Sequence, residues 1–293
     1  MMRKLFHLLC FAAVFMLAAT TAFAAELTWT GCGITKIAFM GEIAKAYEAK
    51  TGTKISLSGG GATKGIRSAS AGSSDMGGTC RPWLFDAPGV KHPEEANAVL
   101  TQVAWDAIVV IANPDNPVDN ISLADLKNIY DGKITNWKDL GGPDKRIILV
   151  TREGTSSGVG HMFRWLVYKD PGMDFKARSL KEKSTGPVEK KVESSEAALA
   201  VDGISSARKK NLKFLSLDGV APTKENIEAG KYPLFRPLYI ATNKNAKDET
   251  KKVLDFILSD EGQAIISAQG TVNLAEGAAL TPLWQKKKAA MGL

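Results

Sequence analysis

Side chains that bind transition metals are scarce in this chain, with 3 histidines and 3 cysteines among 293 residues. His7, His92 and His161 stand far apart, and no cysteine has a ligand-spaced partner, which argues against a metal site; no cofactor motif is present either. The histidine shortage also bears on Gly154-Thr155-Ser156-Ser157-Gly158, which fits the G-x-S-x-G nucleophile elbow between a strand and a helix. An elbow hydrolase needs its histidine late in the chain, after the serine and the acid. His161 lies five residues after Ser156 on the same predicted helix, pointing away from a general base's position. A serine hydrolase acting through Ser156 is therefore the disfavoured reading, and the chain is read as a binding protein, not an enzyme. Long apolar runs are missing beyond the first two dozen residues, so no later segment reads as a membrane span. Internal repeats and low-complexity linkers are absent as well.

The first residues do carry a pattern. Arg3 and Lys4 precede an apolar run from Leu5 to Ala19, then Ala22-Phe23-Ala24. That is a secretory signal peptide over 1–24, with an A-x-A cleavage site and a mature start at Ala25. It predicts an exported, periplasmic protein. Cys10 lies too early to be a lipid-attachment cysteine. Removing Arg3 and Lys4 leaves 36 basic and 31 acidic residues, a net charge of +5. Such a mild, scattered excess suits small anionic ligands and is no nucleic-acid signature. Two cysteines remain, Cys32 and Cys80. An even pair in an oxidising compartment reads first as one disulfide. It would close a loop of roughly 49 residues, worth up to about 4 kcal/mol in the chain-entropy model.

The most informative stretch is Val150-Thr151-Arg152-Glu153-Gly154-Thr155-Ser156-Ser157-Gly158. Before it, residues 147–150 read as a short buried strand; after it, Met162, Trp165 and Leu166 recur at helical spacing. A helix N-terminus offers unpaired N–H groups and about half a positive charge, and small residues let an anion approach. Arg152 adds a planar fork suited to two oxygens of a phosphate-like group. The competing reading is an ordinary N-cap, Thr155 or Ser156 closing a helix start with no ligand. Similar passages recur. Strand 27–30 runs into Gly31-Cys32-Gly33 and a helix over 36–50. Strand 54–57 runs into Gly59-Gly60-Gly61 and a helix from Ile66, and 74–81 is a third strand-to-loop passage. Alternating strands and helices predict an α/β chain with mostly parallel pairing. In such sheets the loops at the strand carboxyl ends line the ligand crevice. Two extended segments, 102–113 and 236–242, are suited to carry the chain between lobes. The division expected is lobe 1 from 25–103 plus 239–293, with lobe 2, 104–238, inserted. A helix over 249–268 closes the chain.

These residues resemble the phosphate-binding proteins of bacterial ABC phosphate importers over nearly the whole mature chain. The resemblance rests on Tyr130-Asp131-Gly132-Lys133-Ile134-Thr135-Asn136-Trp137 and its continuation to Pro143. Asn113-Pro114-Asp115-Asn116-Pro117-Val118, Tyr232 to Tyr239, and Leu258-Ser259-Asp260-Glu261-Gly262-Gln263 add to it. It implies a type II periplasmic-binding-protein fold, two α/β lobes closing on an oxyanion, with an inner-membrane ABC permease as partner and a monomeric receptor. By the same resemblance Thr35, Thr63, Arg152 and Ser156 match family ligand residues, and Ser157 stands at a family glycine. Ala62 replaces a serine, Cys80 replaces an acid that accepts the proton of hydrogen phosphate, and Gly158 replaces a threonine. Thr79 and Arg81 flank Cys80 and join the candidate set, Arg81 as a cation facing the cleft. Without the acid the demand for a protonated ligand is relaxed, so sulfate or molybdate is less clearly refused. Trp29, Trp83, Trp105 and Trp165 are read as packing, and His161 as a capping or surface residue.

Overall fold

The computed structural model describes residues 26–290, so the expected signal peptide and the start at Ala25 lie outside the described residues. Twelve strands follow in order: β1 (Glu26–Gly31), β2 (Lys54–Gly59), β3 (Met76–Thr79), β4 (Phe85–Ala87), β5 (Val90–Lys91) and β6 (Ala98–Ala112). Then come β7 (Asn120–Ile121), β8 (Ile148–Arg152), β9 (Leu180–Glu182), β10 (Ala198–Gly203), β11 (Lys213–Leu217) and β12 (Phe235–Asn243). Ten of them form one sheet, ordered β2-β1-β3-β12-β6-β10-β8-β9, with β11 paired to β6 and β7 to β11; β4 and β5 make a separate hairpin.

Pairing is parallel in the two wings, β2-β1-β3 and β10-β8-β9. It is antiparallel where β12 meets β3 and β6, and where β6 meets β10 and β11. The mixed α/β class is as predicted, and every antiparallel strand pair of the large sheet involves β6 or β12, the two segments read as crossings. β6 is the spine. Its residues 98–107 pair with β12, and Ile108–Ala112 pair with β10. Residues 103–112 are buried without exception, because helices cover both faces there, and a strand covered on both faces reads as an unbroken apolar run.

Two helix boundaries differ from the sequence reading. The helix expected from Ile66 starts at Gly61 and runs to Ala71. Gly60 (φ +150°) and Gly61 (φ +85°) turn the chain directly from β2 into the helix, a backbone route open chiefly to glycine. The segment 249–268 forms two helices, Asp248–Leu258 and Asp260–Ala268. Ser259 is extended, ending the first and capping the second by accepting from Gly262 N at 3.3 Å. A Cβ at Gly262 would sit 2.1 Å from Phe256 O, so the corner requires glycine. A further helix, Leu280–Ala290, had no counterpart in the sequence reading.

Candidate functional site

Four helices begin at one place. Gly33, Gly61, Gly158 and Thr185 are the first residues of the helices Gly33–Thr35, Gly61–Ala71, Gly158–Tyr168 and Thr185–Glu193. All four line a cavity of about 350 Å³, together with Cys32, Ile34, Gly59, Gly60, Ala62, Cys80, Arg152, Val159, Lys183, Ser184 and Gly186. The first of these helices runs on without a break through a π-helical segment, Lys36–Met40, into Gly41–Thr51. Each helix start carries unpaired N–H groups and the positive end of its dipole. Among the described residues no carboxylate lines the cavity, while Arg152 and Lys183 do. The field inside it therefore favours an anion.

Of the ten ligand candidates, Ala62, Cys80, Arg152 and Gly158 line this cleft. Arg152 donates to Glu182 O (3.4 Å), Thr185 Oγ1 (3.2 Å) and Lys183 O (2.8 Å). Three of its five N–H groups are thus engaged, and two remain for a ligand. The same bonds fasten the 182–185 segment to the end of β8.

Six candidates lie elsewhere, each for a local reason. Thr35 is fully buried and its hydroxyl turns back to Cys32 O at 3.1 Å. Thr79 Oγ1 donates to Arg81 O and accepts from Arg81 N. Arg81 does not face the cleft. It is fully buried, and its five N–H groups meet Glu95 Oε1 and Oε2, Pro82 O, Thr63 Oγ1 and Ser156 O. None is left for a ligand. Thr63 accepts from Arg81 and donates to Ser156 O at 2.9 Å, so Arg81 and Thr63 together staple the 152–158 loop to the start of the helix Gly61–Ala71. Ser157 is the N-cap, accepting from Gly160 N at 3.1 Å, the role considered for Thr155 or Ser156. The Ser156 residue opens onto a neighbouring cavity of about 490 Å³, with Leu84, Phe85, His92, His161 and Trp165. His161 shares that cavity and is buried, not on the surface. No Ser156–His161 hydrogen bond is formed among the described residues.

The expected disulfide is not formed: Cys32 and Cys80 are buried free thiols. Burial opposes ionisation of Cys32. The neighbouring Cys80 thiol, the hydrogen bonds with Thr35 and the charge of Arg236 outweigh it and bring the thiol down to about 6. Cys80, buried beside it, is pushed up. Arg236 lies beneath them, fully buried, paired with Asp106 (2.8 Å) and donating to Gly158 O (3.3 Å).

Ala62, Cys80 and Gly158, the three departures from the resembled family, meet at one point. A Cβ at Gly158 would fall 2.4 Å from Cys80 Sγ and 3.0 Å from Ala62 Cβ. The sulfur occupies the room that a larger residue at 158 would need. The three form one packing unit.

The family model of the PBP superfamily domain matches residues 35–261. The chain belongs to the PBP superfamily. It is 31% identical over 192 residues to the phosphate-binding protein PstS of Borreliella burgdorferi, covering 63% of this chain and 69% of that one. It is 28% identical over 253 residues to PstS of Bacillus subtilis, covering 86% and 81%. By these relatives it falls within the phosphate-binding proteins, as the sequence reading had it. A phosphate-bound crystal structure of a putative phosphate ABC transporter substrate-binding protein from Clostridium perfringens superposes with a TM-score of 0.72. It is 28% identical and covers 85% of this chain and 99% of that one.

Sequence reasoning missed the segment from Lys183 to Gly186. Its signal was present, since Ser184-Thr185-Gly186-Pro187 repeats the hydroxyl–glycine grammar of the other helix starts.

Proposed function

We propose that this protein captures inorganic phosphate in the cleft and presents it, as an exported monomer, to a membrane ABC permease. The observation that carries the proposal is the convergence of four helix starts and Arg152 on a cavity without a carboxylate. The names of the relatives, and the bound phosphate in the Clostridium perfringens structure, support the ligand. The mechanism is binding with closure of two lobes and no covalent step. Lobe 1 is assigned to 25–103 plus 239–293 and lobe 2 to 104–238. The register shift between Leu238 and Tyr239 in the β12–β6 pairing supports a hinge there. Closure brings the Arg152–Gly158 loop against Thr63, Arg81 and Cys80, with Ser156 O as the shared acceptor.

A second reading, a receptor for another tetrahedral oxyanion, is favoured by one observation: Cys80 stands where the resembled family has its proton-accepting acid. Calorimetric titration of ligand-stripped protein with phosphate, sulfate and molybdate at neutral pH separates the two. Sub-micromolar phosphate binding, lost in Arg152→Ala and not displaced by sulfate, is the expected result. Saturation by sulfate or molybdate alone would transfer the assignment to that anion.

A further inference from the structure

A third cavity, of about 390 Å³, lies against the end of β8. Thr151, Arg152, Gly154, Arg164, Asp174, Phe175, Ala177, Arg178, Ser179 and Lys181 line it, four cations against the single carboxylate of Asp174. Only Arg152 is shared with the phosphate cleft. At its base Arg164 is 4% exposed. Its Nε donates to Met173 O at 2.6 Å, its guanidinium lies 4.0 Å from the centre of the Phe175 ring, and its Nη1 has no partner among the described residues. A buried guanidinium with an unused donor is costly unless something accepts from it. Arg178 and Lys181 stand exposed at the rim, where alone each would bind an anion weakly. Thr151 Oγ1 and Ser179 Oγ, 2.9 Å apart, share one proton between them, so the other hydroxyl proton is free to point into the cavity.

We propose that this pocket is a second oxyanion site, and that it takes the phosphate group of a small phosphomonoester. Arg164 supplies a fixed positive charge at the base, and Nη2, which makes no hydrogen bond among the described residues and is not among the fully enclosed atoms, is its donor for one phosphate oxygen. Arg178 and Lys181 neutralise the remaining charge. The ester assignment comes from size and lining. The volume is in the range of small-molecule sites, and a five-atom anion would leave most of it empty. Phe175 and Ala177 give an apolar wall for an organic substituent.

The test is calorimetric titration of the full mature chain with phenyl phosphate, in the presence of one saturating equivalent of inorganic phosphate. One further equivalent of phenyl phosphate is expected to bind. The double substitution Arg178→Ala and Lys181→Ala, both at exposed positions, should weaken it at least tenfold. The inorganic phosphate affinity of that variant should stay as in the wild type. Arg164→Lys, which keeps the charge and loses the Nη2 donor, should also weaken phenyl phosphate binding. Binding of phenyl phosphate only by displacing inorganic phosphate would overturn the proposal, as would unchanged affinity in the double variant or no binding at all. A second equivalent of inorganic phosphate, lost in the double variant without phenyl phosphate binding, would keep an anion site and sink the ester. A cleft that bound no phosphate would leave the test readable, because the double variant touches this pocket alone.

Discussion

Gly158, Cys80 and Ala62 must be considered together, because a side chain added at 158 would meet both of the others. Gly158→Thr should overpack this point and cost about 1–3 kcal/mol. Adding Cys80→Ala removes the sulfur and should recover most of that loss, so urea midpoints of the two single variants and the double should be strongly non-additive. Additive losses would mean that the contact does not govern the position. The thiol pair has its own signature. The Cys80 thiol, Thr35 and Arg236 beside it bring Cys32 down to about 6, and the thiolate is the reactive form of cysteine. The pH dependence of Cys32 alkylation, followed by mass spectrometry, should have its midpoint near pH 6. Cys80→Ala removes one of these neighbours and should move the midpoint upward. A wild-type midpoint near the ordinary thiol value of ~8.5 would refute the arrangement.

At the scale of elements, the cleft is built by repetition: a strand ends, glycines turn the chain, and a helix begins. That grammar was legible in the sequence at 31–33, 59–61 and 154–158, and residues from all three passages line one cavity. The roles of individual side chains were not legible, because long-range partners decide them. Arg81 beside a glycine-rich loop looks like a ligand cation, yet Glu95, fully buried fourteen residues later, takes both ends of its fork. Nothing local announces that pair. The split of 249–268 was hidden for a similar reason: the apolar spacing continues through Ser259, and only the close approach of Gly262 to Phe256 O forces the corner. The Arg81–Glu95 pair also predicts an element-level effect. Glu95→Ala leaves a buried guanidinium unpaired, which should cost roughly 3–5 kcal/mol. It should also loosen Ser156 O from the start of the helix Gly61–Ala71. Denaturant unfolding would give the cost, and faster hydrogen exchange confined to loops 60–63 and 153–158 would show the loosening. A surface-like cost under ~1 kcal/mol would contradict the burial.

For the whole molecule, two buried groups pull stability in opposite directions as pH changes. His161 is held near 3, chiefly by desolvation, with Arg81 and Arg164 adding repulsion against a bond to the Thr155 backbone that favours the charged ring. Its folded value lies below the unfolded ~6.5, so its contribution is complete above pH 6.5 and lost as pH falls toward 3. Asp202 is pushed the other way, first by burial and then by the neighbouring Glu189. Its folded value is raised, so its contribution is complete below the unfolded ~3.9 and is lost as pH rises through the raised value. Each slope is at most about 1.4 kcal/mol per pH unit, and above pH ~4 they oppose each other. Asp202→Asn keeps a neutral side chain of the same shape and deletes the second slope. The stability difference between this variant and the wild type should therefore widen in the variant's favour as pH rises from 4 to 6.5. The variant alone should show the uncompensated loss on acidification that belongs to His161. Replacing His161 with Phe should give the mirror result, a protein that gains stability as pH falls through the same window. Urea unfolding of the three proteins at pH 4, 5 and 6 decides it, and parallel curves would mean that neither group titrates differently in the folded state.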